Sequence, residues 1–268
     1  MSGTDQTASA LFRAGRLDDA VAAAQAVLRK APTDLNARVL LGELLAFTGN
    51  LERADVVLDA ASAIDPTTAM VVAEFRQLIR ADMARRQLFR DGRVPEFLVD
   101  PTETQRLQLA ALVALRGGDL AEASRQAEAA EAVRPRAPGK QGDTAFDDLR
   151  DADDLLAGSF EVLTTTGKYF WIPTERVQTL EFHPPKRPRD LLWRRASMTV
   201  ADGPDGEVYL PAIYAADDAT TDALRLGRET DWRETEVGPV RGVGQRLFIV
   251  GEDAVPMMEL GNFRFDIA

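Results

Sequence analysis

Apolar residues in the first half of the chain fall three or four positions apart, the spacing of amphipathic helices. Small residues and prolines recur there with a longer period of 34 residues. The same pattern of five residues occurs three times, and its second copy lies 34 residues after the first. The three copies are Gly15, Leu17, Ala20, Val27 and Pro32, then Gly49, Leu51, Ala54, Ala61 and Pro66, then Gly118, Leu120, Ala123, Ala130 and Pro135. Such a period, with glycine at the turn and proline at the end, is typical of tetratricopeptide repeats. The pattern predicts three helix pairs.

The unit between the second and third pairs departs from this pattern. Its apolar residues predict one long helix from about Thr67 to Arg90, which Gly92 and Pro95 then end. The unit therefore lacks its second helix. A linker rich in proline, glycine and basic residues follows the third pair, so we expect a tetratricopeptide-like helical domain over residues 1–142.

After residue 142 the pattern changes. Residues 143–156 carry apolar positions at helical spacing and many aspartates, which predicts a helix with a solvated acidic face. Beyond Gly158 the pattern predicts strands over 160–163, 169–172, 179–182, 245–250 and 257–260, a hairpin formed by 193–200 and 207–214, and a short polar helix near 217–226. The whole predicts an α+β fold, with a small antiparallel β-rich domain over 143–268.

Composition narrows the possible functions. The chain has 268 residues and a net charge of −11, which argues against free nucleic acid or an anionic membrane as the main partner. It has no cysteine, which excludes thiol catalysis and disulfides, and one histidine, His183, which excludes a two-histidine metal site within one chain. There is no run of about 20 apolar residues and no secretory signal, so we expect a cytoplasmic protein.

The concave face of the stacked helix pairs is the first candidate binding site, because such repeats commonly hold a peptide there. In-phase placement of the repeats predicts these partner-binding residues: Phe12, Arg13, Asn36, Glu43, Phe47, Gln108 and Arg116. The alternative is that the phenylalanines are core residues beneath the next helix.

A second candidate is the segment 187–195, where four arginines surround a tryptophan. Arginine and tryptophan are frequent interface anchors, so Trp193 and Arg194 are predicted to contact a partner. The alternative is an internal role, in which these arginines pair with the acidic 143–154 segment or hold the two domains together.

Several segments of the second half, taken in order, resemble a known family. They are Tyr-Phe-Trp-Ile-Pro at 169–173, Leu-Glu-Phe at 180–182, Arg-Pro-Arg-Asp-Leu-Leu-Trp-Arg-Arg-Ala at 187–196, and the segments 206–214, 224–232 and 238–246. The sequence resembles the ImpE/TagJ (SciE-type) family of accessory proteins of bacterial type VI secretion, which also begins with tetratricopeptide-like helices.

The resemblance implies a cytoplasmic, non-catalytic adaptor without a cofactor or metal. Family members bind an N-terminal helix of the small sheath subunit TssB and are thereby linked to the ClpV ATPase. No catalytic residue is carried over. Two alternatives stay open: a carboxylate- or metal-dependent enzyme using acids such as Asp190, Glu207 and Asp231, and a purely architectural subunit. Carboxylates converging in a deep pocket would favour the enzyme.

Overall fold

The structure is a computed structural model that describes residues 7–215, 220–233 and 235–267. Its helices are α1 (Ala8–Arg13), α2 (Leu17–Lys30), α3 (Leu35–Phe47), α4 (Leu51–Ile64), α5 (Ala69–Asp91), α6 (Glu103–Arg116), α7 (Leu120–Val133) and α8 (Asp222–Arg225). Its strands are β1 (Gly139–Gln141), β2 (Thr144–Phe146), β3 (Leu149–Asp151), β4 (Ser159–Leu163), β5 (Tyr169–Pro173), β6 (Val177–Phe182), β7 (Trp193–Val200), β8 (Asp205–Pro211), β9 (Thr230–Arg233), β10 (Arg241–Gly244), β11 (Leu247–Val250), β12 (Asp253–Pro256) and β13 (Phe263–Phe265).

Three helix pairs form where the 34-residue period predicts them: α1 with α2, α3 with α4, and α6 with α7. The turn glycines Gly15, Gly49 and Gly118 have φ of 79°, 77° and 79°, a left-handed conformation that favours glycine. The repeated alanines at the helix crossings are fully buried, which explains why only a small side chain fits there: Ala20, Ala54 and Ala123. The helical repeat is therefore confirmed.

The predicted long helix is also confirmed, as α5, and Gly92 ends it with a φ of 80°. The chain then crosses to the sheet. There the Glu96 N–H donates to the Tyr169 carbonyl at 2.8 Å, and the Trp171 N–H donates to the Glu96 carbonyl at 3.1 Å. The connection between α5 and α6 thus covers the outer edge of β5. None of the helices in the described ranges, α5 included, is long and apolar enough to cross a bilayer.

Within its described residues, the second half is an antiparallel β structure in three sheets. The largest has eight strands in the order β2-β1-β13-β6-β7-β8-β4-β5, and the hairpin of β7 and β8 is the predicted one. A three-stranded sheet has the order β12-β11-β3, and β9 pairs with β10. The first strand of the large sheet, β1, begins at Gly139, ahead of the predicted start of the β-rich domain at residue 143.

Two local predictions were wrong. Residues 143–156 form β2, β3 and turns rather than a helix, because Leu149–Asp151 pairs with β11. The segment 257–260 contains a 3₁₀ helix, Met257–Glu259, rather than a strand. The short polar helix is present as α8, and residues 217–219 of the predicted range lie outside the described residues.

The eight-stranded sheet is the middle of three layers. Alternate residues of its strands point to opposite faces, as β4 illustrates: Leu163 packs with the helices, whereas Phe160 and Val162 pack with the three-stranded sheet. On the helical side, Phe75 of α5 meets Trp193 of β7 edge to face, with ring centroids 6.0 Å apart. One hydrophobic core therefore continues from the helix pairs into the sheet.

A buried ionic network ties the three layers together. Arg85 of α5 binds both carboxylate oxygens of Glu161 in β4, at 2.8 and 2.9 Å. Arg246 lies 3.2 Å from Glu161 and 2.6 Å from Asp151 of β3. The four side chains are at most 3% exposed, and Tyr169 donates a further hydrogen bond to Glu161 at 2.6 Å. The predicted solvated acidic face is thus wrong for Asp151, whose charge is neutralised inside the protein.

Burial by itself would raise the pKa of Glu161, because the charged carboxylate loses its hydration. The guanidinium groups of Arg85 and Arg246 outweigh that effect and hold the pKa at about 2, below the ordinary 4.5. The carboxylate therefore stays ionised in the core.

We expect Arg246→Met to lower the free energy of unfolding by about 3–5 kcal/mol, because it leaves two buried carboxylates short of their partner. Urea unfolding followed by circular dichroism measures this. Arg136→Met is the matched control, since the Arg136–Asp147 ion pair is exposed on both sides and its loss should cost under about 1 kcal/mol. Equal costs for the two variants would contradict the role given to the network.

The low pKa of Glu161 also predicts acid sensitivity. A carboxylate whose pKa is lower in the folded state stabilises the fold above its unfolded pKa and loses that contribution as pH falls. We expect the free energy of unfolding to fall by on the order of 3 kcal/mol between pH 4.5 and about 2 from this group. Urea titrations at a series of pH values test it, and unchanged stability down to pH 2 would refute it.

Candidate partner-binding groove

The β-rich half packs against the inward-facing side of the helix pairs. Glu43 of α3 forms a buried ion pair with Arg189 at 2.7 Å. On α6, the Gln105 amide donates to Ser159 Oγ at 3.1 Å, and the buried Gln108 amide lies against the backbone at Ala157. These inward-facing positions therefore contact the protein's own second half.

The predicted partner-binding residues divide into two groups. Six are buried, and three are exposed. The buried ones are Phe12, Glu43, Phe47, Gln108, Trp193 and Arg194, and the exposed ones are Arg13, Asn36 and Arg116. Phe12 and Phe47 contact each other with ring centroids 5.3 Å apart, so the back of Phe12 is part of the core.

The arginine-rich segment 187–195 mostly serves internal contacts. Arg194 donates to the Met257 and Leu260 carbonyls and lies over the Phe182 ring at 4.0 Å. Trp193 is buried against α5, so neither side chain is accessible to a partner.

Two internal roles were predicted as the alternative for these arginines: to hold the two halves together, or to pair with the acidic 143–154 segment. Arg189 has the first of these roles, because it joins the two halves through Glu43. None of these arginines pairs with the 143–154 segment, because the acids of that segment have other partners. Asp153 pairs with Arg241 at 2.9 Å, and Asp151 pairs with Arg246.

One part of the concave face stays open. A groove of about 380 Å³ lies between α1, α3 and the connection that runs from β6 to β7. We call it the α1–α3 groove. Its lining residues are Ser9, Phe12, Arg13, Leu40, Pro185, Lys186, Arg187, Pro188 and Leu191. It thus includes two of the predicted residues, Phe12 and Arg13.

The β6–β7 wall of the groove is fixed by two buried carboxylates. Asp190 accepts hydrogen bonds from the backbone N–H groups of Lys186 and Arg187, at 2.9 and 3.0 Å, and so closes the loop. Arg189 reaches inward to Glu43 and lies 4.6 Å from the centre of the Phe75 ring. Burial raises the pKa of Glu43, and Arg189 opposes this only in part.

Sequence reasoning missed the residues of this wall that face the groove: Pro185, Lys186, Pro188 and Leu191. The segment 187–195 had been singled out for its arginines and tryptophan. Its first residues, rather than Trp193 and Arg194, face the opening. The prolines at 184, 185 and 188 were the available signal, because they favour an extended connection that cannot continue a strand.

Each acid proposed for an enzymatic site has a partner of its own in the structure. Asp190 closes its loop, Glu207 pairs with Arg195, and Asp231 accepts from the Trp232 N–H. In the described ranges, no three histidine or acidic residues are placed to hold a metal ion.

His183 has a serine and a carboxylate nearby, but not in the order that activates a nucleophile. Its Nε2 lies 3.1 Å from Ser197 Oγ, and the same nitrogen is the one that faces Glu207 at 3.8 Å. In a catalytic triad the carboxylate holds the other ring nitrogen, which orients the base. This cluster therefore does not reproduce that arrangement.

Comparison with known proteins covers both halves of the chain. The family model described as ImpE protein matches residues 143–264, and a tetratricopeptide repeat model matches residues 11–73. The chain is 34% identical over 262 residues to the type VI secretion system accessory component TagJ of Pseudomonas aeruginosa. The aligned region covers 97% of this chain and 91% of that protein. A crystal structure of a Vibrio parahaemolyticus protein is similar with a TM-score of 0.91 and 28% identity, over 97% of this chain and 98% of the other.

We expect Glu43→Gln to loosen the β6–β7 wall, because it removes the charge that neutralises buried Arg189. Hydrogen exchange at the backbone N–H groups of Lys186, Arg187 and Leu192 should accelerate about tenfold, which corresponds to about 1.4 kcal/mol of local stability. Glu52→Gln, an exposed change on α4, should leave these rates unaltered. Unchanged exchange in Glu43→Gln would show that the ion pair does not hold the wall.

Proposed function

The chain belongs to the ImpE/TagJ family, and from this membership we propose that it is a non-enzymatic accessory protein of a bacterial type VI secretion system. We further propose that it acts in the cytoplasm by binding an N-terminal helical segment of the small sheath subunit, TssB. The observation that carries the proposal is the α1–α3 groove, an opening lined by apolar side chains of both halves of the chain.

The chemistry of the groove suits an amphipathic helix. Phe12, Leu40 and Leu191 offer apolar surface from α1, α3 and the β6–β7 connection, so that one apolar stripe contacts all three. A helix in such a groove anchors itself through residues three, four and seven positions apart. Burial of apolar area, at roughly 25 cal/mol per Å², supplies the main driving force.

The fixed wall supports this reading. Because Asp190 and the Glu43–Arg189 pair hold the connection in place, the groove is formed before a partner arrives. A preformed site spends less binding free energy on ordering its own residues. Through the sheath subunit, the protein would be linked indirectly to ClpV-dependent handling of the sheath.

The proposal is tested with the purified chain and the small sheath subunit, by isothermal titration calorimetry. We expect binding that is lost when the N-terminal helix of the sheath subunit is deleted. Leu40→Asp with Leu191→Asp should weaken binding at least about tenfold, because charge enters the apolar surface of the groove.

The matched control is Val56→Asp with Val71→Asp, which places the same two charges on exposed positions of α4 and α5. Thermal unfolding of each variant confirms that the fold persists. Binding that survives the helix deletion would reject the partner segment. Binding that survives the two groove substitutions would place the segment elsewhere on the protein.

A further inference from the structure

The α1–α3 groove carries positive charge in an acidic chain. The net charge of the chain is −11, yet the nine lining residues include Arg13, Lys186 and Arg187 and no aspartate or glutamate. This local reversal of sign is what a partner meets at close range, because the Debye length is about 8 Å at physiological salt and screens more distant charges.

The cations at this groove are not equivalent. Arg187 is paired with Asp190 at 3.1 Å, and Arg189, behind the wall, is paired with Glu43. Arg13 and Lys186 form no ion pair with any residue that the structure describes, and both are exposed. Two positive charges are therefore available to a partner.

The two available charges sit on different walls. Arg13 is the last residue of α1, and Lys186 belongs to the β6–β7 connection. The apolar residues Phe12, Leu40 and Leu191 line the same groove. A helix whose apolar stripe contacts these residues would present its flanking positions to Arg13 on one side and to Lys186 on the other.

We propose that the groove selects a helical segment with carboxylate side chains on both flanks of its apolar stripe, one pairing with Arg13 and the other with Lys186. This inference rests on the proposed function, because it assigns the groove to a partner helix. Opposite charges at the rim steer association and fix orientation, and a helix with basic flanks is rejected by like-charge contacts.

The test uses two synthetic peptides of about 18 residues with the same leucine stripe, one flanked by glutamates and the other by lysines. Fluorescence anisotropy measures their binding to the full chain at low and at physiological salt. We expect the glutamate-flanked peptide to bind about tenfold more tightly at low salt, and salt to reduce the difference.

Two double variants assign the preference to its residues. Arg13→Gln with Lys186→Gln should reduce the preference to about twofold or less. Arg29→Gln with Lys30→Gln removes the same charge from the exposed last turn of α2, outside the groove, and should preserve it. Equal binding of the peptides, binding of neither, or a preference that survives the first double variant would overturn the inference.

Binding of TssB, measured on the same proteins, separates the two proposals. If TssB binds and the peptides show no charge preference, the inference fails and the proposed function stands. If the preference is present and TssB does not bind, the groove selects acidic helices and the sheath assignment fails. If ultracentrifugation shows a dimer that Leu40→Asp dissociates, a second copy occupies the groove and the inference is overturned.

Discussion

The structure depends on a buried set of opposite charges at the meeting point of its layers. Arg85 comes from a helix, Glu161 from the large sheet, Asp151 from the small sheet and Arg246 from the turn before β11. Removing any one of them leaves an uncompensated charge in a low-dielectric interior, which is far more costly than the intact set is favourable. Such a set permits few alternative packings, because each guanidinium must reach its carboxylates at hydrogen-bond distance. It therefore fixes how the β-rich half sits on the helices.

That docking changes what the helical repeats can do. Tetratricopeptide repeats usually offer a concave surface along their whole length. Here Glu43 and Gln108, at inward-facing positions, contact the protein's own second half. The α1–α3 groove opens at the first two pairs, and the β6–β7 connection supplies its other wall. The groove is a composite of both halves, so its shape and its charge depend on their relative placement. A separated repeat domain would lack Lys186 and Leu191 altogether.

Sequence reasoning succeeded where structure is local and failed where distant residues decide. The helix pairs follow from the 34-residue period, and the β7–β8 hairpin follows from apolar runs around a turn. The 143–156 segment has helical spacing, yet it forms strands because Leu149–Asp151 pairs with β11, about a hundred residues later. A local pattern cannot indicate that Asp151 is neutralised by Arg246, which lies 95 residues later in the chain. An aspartate-rich stretch is therefore predicted to face solvent, even where one of its carboxylates is buried. The same reasoning placed Trp193 at an interface, which proved to be the interface within the chain.

By itself the sequence determined the repeat, the change from helix to strand and the family, since periodicity, turn residues and ordered motifs are properties of the chain alone. It also predicted that Phe12 and Arg13 belong to the inner face. Only the tertiary structure decided which inner residues remain accessible and that Lys186 lines the same groove as Arg13. The physical reason is that burial and ion pairing are set by contacts between residues far apart in sequence. A side chain's accessibility and its neutralised charge exist only once the two halves have packed.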